Sequence, residues 1–139
     1  MPHTKSVAEK MGIKKDSRSI LIKAPHDTVA GLKLPKVKIA SQLSGKFDYI
    51  HVFAKTQQDL DHQFARVKKY LDGTGMLWIS WPKAGQLNSD LNMKSVIRIG
   101  YDHGLVESKG IRVDETWAAL KFTHPQTGKV YRNSYGKLK

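Results

Sequence analysis

"FDYIHVFAKTQQDLDHQFARVKKYLDGTGMLWISWPK", residues 47–83, reads as strand, helix, strand. The first run, "FDYIHVFAK", is rich in β-branched and aromatic residues. In "TQQDLDHQFARVKKYL", Leu60, Phe64, Val67 and Leu71 recur at helical spacing as one apolar stripe. Thr56 with Asp59 suits the start of that helix and Gly73 its end. "GMLWISWP" is then almost continuously apolar, the pattern of a central strand covered on both faces. Two strands joined through a helix pair in parallel by a right-handed crossover. Trp78 and Trp81, three apart on a strand, point to opposite faces.

The same grammar extends outward. "SVAEKMGI" carries Ser6 three residues before Glu9, a capping box, and Gly12 as a stop. "SRSILIKAP" reads as a buried strand ended by Pro25, and "HDTVAGLKLP" as a short helix begun by Asp27 or Thr28. "KVKIASQL" alternates lysines with Val37 and Ile39, as a sheet edge does. Towards the other end, "NSDLNMKSVIRIGYDHG" predicts a helix starting near Ser89 or Asp90, with Met93, Val96, Ile97 and Tyr101 inward and Gly104 as terminator. "LVESKGIRV" and "WAALKFTH" form a hairpin through "DET". The expected fold is therefore α/β, a three-layer, mainly parallel sheet with helices on both faces and a C-terminal antiparallel hairpin. Residues 1–124 make one domain, and residues 125–139 a basic, mobile tail.

A chain of 139 residues can bury one core without disulfides. The absence of cysteine excludes thiolate metal sites and cysteine nucleophiles, and fits a reducing compartment, so the cytoplasm is the expected location. No apolar run has the length of a membrane span, and "MPHTKSVAEK" lacks the apolar centre of an export signal. Twenty-four Lys and Arg against twelve Asp and Glu give a net charge of +12, a field that draws phosphate-bearing partners.

"EKMGIKK", "LIKAP", "FDYIHVF", "GMLWISWPK" with the "DL" of Asp90 and Leu91, and "DETWAALKF" together resemble a bacterial family known as domain of unknown function 3052. "WPK" and "DETW" are the most specific of these pieces. The sequence departs from the family at "KKDS", where a Pro-Gly turn is usual, and in its basic tail. That resemblance implies a fold and brings no catalytic residues. A wider likeness is to the second half of Rossmann-like methyltransferases that use S-adenosylmethionine, in which Asp48, Leu71 and Gly75 occupy matching places. The parts that would hold the cofactor are missing. "KAPHDT" stands where a glycine-rich turn belongs, and no acidic residue ends "KVKIASQL" to grip a ribose. No cofactor is expected.

Open parallel sheets bind ligands beyond the carboxyl ends of their strands. Lys23, Lys55 and Lys83 fall at three such ends, with His26, Asp27, Thr28, Thr56 and Trp81 beside them, so an anionic or nucleotide-like small molecule is the expected ligand of a binding module without catalytic activity. A core tryptophan and a strand-stopping proline is the plainer reading of Trp81 and Pro82. Asp114, Glu115 and Trp117 read either as a source of carboxylates for acid–base work or for a metal, or as a hairpin turn with a packed ring. The histidines, His3, His26, His51, His62, His103 and His124, show no pair at metal-ligand spacing, and no metal is expected. A second expectation is weak binding of RNA or DNA, through Arg66, Lys68 and Lys69 on the strongest helix and through Lys129, Tyr131, Arg132 and Tyr135, where rings alternate with cations. A diminished methyltransferase is the third.

Overall fold

A computed structural model describes residues 5–138; His3 and Lys139 lie outside the described residues. The elements run α1 (Val7–Met11), β1 (Arg18–Ile22), α2 (His26–Leu32), β2 (Lys38–Ile39), β3 (Phe47–Phe53), α3 (Gln57–Val67), β4 (Leu71–Pro82), α4 (Met93–Asp102), β5 (Val106–Arg112) and β6 (Trp117–Thr123). One sheet holds the strands in the order β2-β1-β3-β4-β6-β5. The first four are parallel, and β6 runs antiparallel to both β4 and β5. Ile20, Ile50 and Leu77 stand side by side on β1, β3 and β4, as the strand-helix-strand reading predicts.

Alternate residues along each strand serve two separate cores. Ile50, Val52, Leu77, Ile79 and Trp81 pack with Leu60, Phe64 and Val67 of α3 and Val96, Ile97 and Tyr101 of α4. Tyr49, Trp78 and Ala119 face the other way, against Ala8 and Met11 of α1 and Leu32 of α2. The two tryptophans thus lie on opposite faces. Two glycines permit the closest approaches. A Cβ on Gly100 of α4 would stand 2.1 Å from Phe122 Cε1, so α4 rests directly on β6. A Cβ on Gly75 would stand 2.7 Å from the Phe47 carbonyl oxygen, at the point where β4 slips register against β3.

Several boundaries differ from the sequence expectation, each for a local reason. α2 starts at His26 behind Pro25, which makes no side-chain cap bond, instead of at Asp27 or Thr28. α3 stops at Val67, a 3₁₀ turn follows over Lys68–Tyr70, and Leu71 already pairs with Phe47, so Gly73 lies within β4 instead of capping the helix. α4 starts later than Ser89 or Asp90, because Asn92 and Ser95 form its capping box. Met93 is correspondingly half exposed, at 48%, and Ser95 takes an inner place. The edge strand shrinks to Lys38 and Ile39, both exposed. Beyond β6, the chain folds back on α4. Gly136 sits where a Cβ would meet Tyr101 Cβ at 2.9 Å, and Asn133 Nδ2 donates to Glu107 Oε1 at 2.6 Å.

Candidate functional site

The strand order reverses beside β1: the chain moves outward to β2, then returns across β1 to build β3. Crevices form beyond strand ends at such a reversal. Here a cavity of about 700 Å3 opens beyond the carboxyl ends of β1 and β3. Phe53 and Trp117 make an apolar wall, their rings edge to face at 5.1 Å, and Leu87 overhangs it, 53% exposed. Lys23, Lys55, Thr56 and Asp59 supply the polar part.

Each of these side chains is held in place by its element. Lys23 leaves β1 with φ 57, a left-handed turn that strains a residue with a Cβ, and its Nζ pairs with Asp59 Oδ1 at 2.9 Å. Thr56 is the N-cap of α3, its Oγ1 accepting from the Asp59 N–H at 3.1 Å. The segment after β4 is bolted to the start of α3. Ser89 Oγ donates to the Lys55 carbonyl at 2.7 Å, and Asp90 Oδ1 accepts from the Gln57 N–H at 2.7 Å. Positive φ at Ala84, Gly85, Leu87 and Asn88 coils that segment tightly and brings Leu87 over the cavity. The Lys55 ammonium makes no hydrogen bond or ion pair with another described residue.

Lys83 does not join Lys23 and Lys55. Its Nζ donates to the Asp114 carbonyl at 2.7 Å, and with Trp81 it lines a shallower hollow near the start of α4. Trp81 itself is 4% exposed and packed in the α3/α4 core. His26 and Asp27 are fully exposed, 3.6 Å apart, and do not line the cavity. Thr28 is buried, its Oγ1 donating to Asp114 Oδ2 at 3.4 Å. Asp114 closes the hairpin turn, its Oδ1 accepting from the N–H groups of Thr116 and Trp117 at 2.8 and 2.7 Å. Glu115 offers the turn only its carbonyl, to Gln86. Phe53 and Leu87 are the wall residues that sequence reasoning assigns to no site, and Trp117 enters it only beside Asp114 and Glu115. The signal was an aromatic side chain at the end of one strand and another at the start of a second.

Behind Phe53 runs a buried polar chain. Tyr49 Oη bonds His51 Nδ1 at 2.6 Å, and His51 Nε2 bonds Ser80 Oγ at 2.7 Å. All three residues are fully buried, and the imidazole stacks on the Phe53 ring at 4.3 Å. Burial pushes the His51 pKa down to about 3 and the Tyr49 phenol far above its ordinary value. Both are neutral at pH 7. Of the other histidines, His103 pairs with Asp61 at 2.7 Å, and His124 meets the Leu71 carbonyl at 3.1 Å. Among the described residues no three His, Asp or Glu converge as metal ligands.

The residues of the nucleic-acid expectation divide. Arg66 bonds Gln63 on α3, Lys69 stands over the Tyr70 ring, and Tyr135 lies under Lys94 of α4. Lys129, Tyr131 and Arg132 line a different cavity, at the far end of the sheet, and Lys68 stands over Gly104.

No family model matches the sequence, so the resemblance to domain of unknown function 3052 rests on the quoted motifs alone. No curated protein matches it either. Solved structures do match in fold. Magnesium protoporphyrin IX methyltransferase from Synechocystis, solved with bound SAH, superposes with a TM-score of 0.57 at 11% identity, over 86% of this chain and 80% of that one. A TehB-like SAM-dependent methyltransferase from Corynebacterium glutamicum gives 0.56 at 8% identity, over 85% of each chain. A methyltransferase from Pyrococcus furiosus gives 0.54 at 9%, over 84% and 79%. Against that likeness, the turn after β1 does not suit S-adenosylmethionine. Lys23 has a side chain at positive φ, Pro25 has no N–H to offer, and the exposed two-residue β2 leads into Ala40 and Ser41 without a carboxylate. The cavity lining also carries two ammonium groups, Lys23 and Lys55, against the single carboxylate of Asp59, a charge balance that disfavours a cationic sulfonium. Among the described residues no helix is long and apolar enough to cross a membrane. The chain carries the Rossmann-like fold of S-adenosylmethionine-dependent methyltransferases, at a level of identity that speaks for the fold alone.

Proposed function

We propose that the protein is a small-ligand binding module on a methyltransferase-like frame, and that the cavity beyond β1 and β3 takes a nucleotide-like anion. The ligand's flat apolar part lies against Phe53, Trp117 and Leu87, and its anionic group meets the Lys55 ammonium. One observation carries this reading: a lysine without a partner among the described residues and an aromatic wall share one concavity at the reversal of strand order. Binding is favoured over catalysis because, among the described residues, Asp59 is the one carboxylate lining the cavity, and it is already engaged by Lys23.

The reading is tested by calorimetry with adenosine monophosphate, S-adenosylhomocysteine and S-adenosylmethionine. Adenosine monophosphate is expected to bind, and Lys55→Ala to weaken it by about tenfold, the worth of one charge-assisted hydrogen bond. Tighter binding of S-adenosylmethionine than of the monophosphate, or indifference to Lys55→Ala, overturns the proposal.

A further inference from the structure

The opposite end of the sheet, where β4 begins and β6 ends, holds a second cavity of about 770 Å3. Lys121 of β6 and Lys129 and Arg132 of the segment beyond it bring three cations into its wall, with Tyr131 and the hydroxyls of Thr74 and Thr123 between them. Glu107, the one carboxylate lining it among the described residues, is occupied, accepting from Tyr101 Oη at 3.3 Å and Asn133 Nδ2 at 2.6 Å. Nearby Asp72 is turned to its own loop, where the N–H and hydroxyl of Thr74 hold it and keep its pKa low.

Cations at this end of a parallel sheet often answer the carbonyl ends of helices. Lys46 does so here, donating to the Lys69 carbonyl at 2.6 Å. The three cavity cations do not, since their side-chain nitrogens make no hydrogen bond or ion pair with another described residue. The Lys129 ammonium stands over the Tyr131 ring at 5.3 Å. Lys68 stands outside the cavity, its Nζ beside Gly104 just before β5.

We propose that this cavity binds single-stranded nucleic acid, with successive phosphates on Lys121, Lys129 and Arg132. Lys129 moves from the Tyr131 ring to a phosphate, and the ring so uncovered stacks a base. A concavity of this size admits an unstacked strand and not a duplex.

The test is fluorescence anisotropy of a labelled oligouridylate of about ten nucleotides, at about 50 and 200 mM salt, on the full chain. With Z phosphates contacted, the log–log salt slope is about −0.7Z, so three contacts predict a slope near −2. Lys129→Ala with Arg132→Ala should lower affinity at least tenfold and bring the slope to about −0.7. Tyr131→Leu should weaken binding with the slope unchanged. Lys38→Ala, on the exposed edge strand at the opposite side of the sheet, should change neither, and thermal unfolding of each variant controls for folding. Three outcomes overturn the proposal: a double variant that keeps wild-type slope and affinity, a loss with Lys38→Ala as large as with the pair, or uridine monophosphate competing as well as the oligonucleotide.

Discussion

His51 is neutral at pH 7 because its surroundings leave no room for a charge. It has hydroxyl partners on both ring nitrogens, Phe53 against its face and no exposed surface. Its folded pKa of about 3 lies below the ordinary 6.5, so between those values the unfolded chain binds a proton that the native chain refuses. The resulting stability is complete above pH 6.5 and is lost as pH falls towards 3, by about 1.4 kcal/mol per unit. Urea unfolding should show stability falling as pH drops from 6.5 to 5, the slope steepening towards this value, ahead of most carboxylate titration, and His51→Gln should flatten it. Other single residues were readable from sequence to different depths. Lys23, Lys55 and Thr56 could be placed because Pro25 and the α3 cap mark where β1 and β3 stop. Lys83 could not, since the left-handed residues that coil the segment after β4 leave no regular pattern. Phe53 and Trp117 meet only after β4 has paired with both β3 and β6, a long-range arrangement that no local spacing announces.

At the scale of elements, the two helices with clear apolar stripes were legible, and so was the hairpin, because periodicity reports a face wherever one side is buried. Their ends were less so. Asn92 outcompeted Ser89 and Asp90 as the cap of α4 because those two are committed to Lys55 and Gln57 at the start of α3. The contact of α4 with β6 is tight enough to predict an energetic consequence. Gly100→Ala places a methyl group in the space of the Phe122 ring. Overpacking should cost about 1–3 kcal/mol and exceed the gain of about 1 kcal/mol from better helix propensity. Chemical denaturation should therefore show net destabilisation, and the double variant Gly100→Ala, Phe122→Leu should recover part of it.

For the whole molecule, the alternation of strands and helices foretold a mainly parallel sheet between two helical layers, and the strand order bears this out. A net charge of +12 on a chain of this size also predicts self-repulsion in the folded state, which added salt screens. Thermal midpoints should rise by a few degrees as sodium chloride is raised at fixed pH, and further with phosphate at equal ionic strength if the lysines and arginines at either end of the sheet collect it. A midpoint that falls with salt would mean that attractive pairs outweigh the repulsion.

The interruption at the start of β4 sets the phase of the strand. Phe47 pairs with Leu71 but Tyr49 with Met76, so residues 72–75 loop out, held by Asp72 on Thr74 and free of a Cβ at Gly75. Were β4 to settle one position out of step with β3, Ser80 would turn to the α3 and α4 layer, and an aliphatic side chain would face His51. The imidazole would then lose a buried hydrogen-bond partner, and both tryptophans would exchange layers. The buried Tyr49–His51–Ser80 chain therefore acts as a parity check on the sheet: it closes in the native phase and is broken by a slip of a single residue.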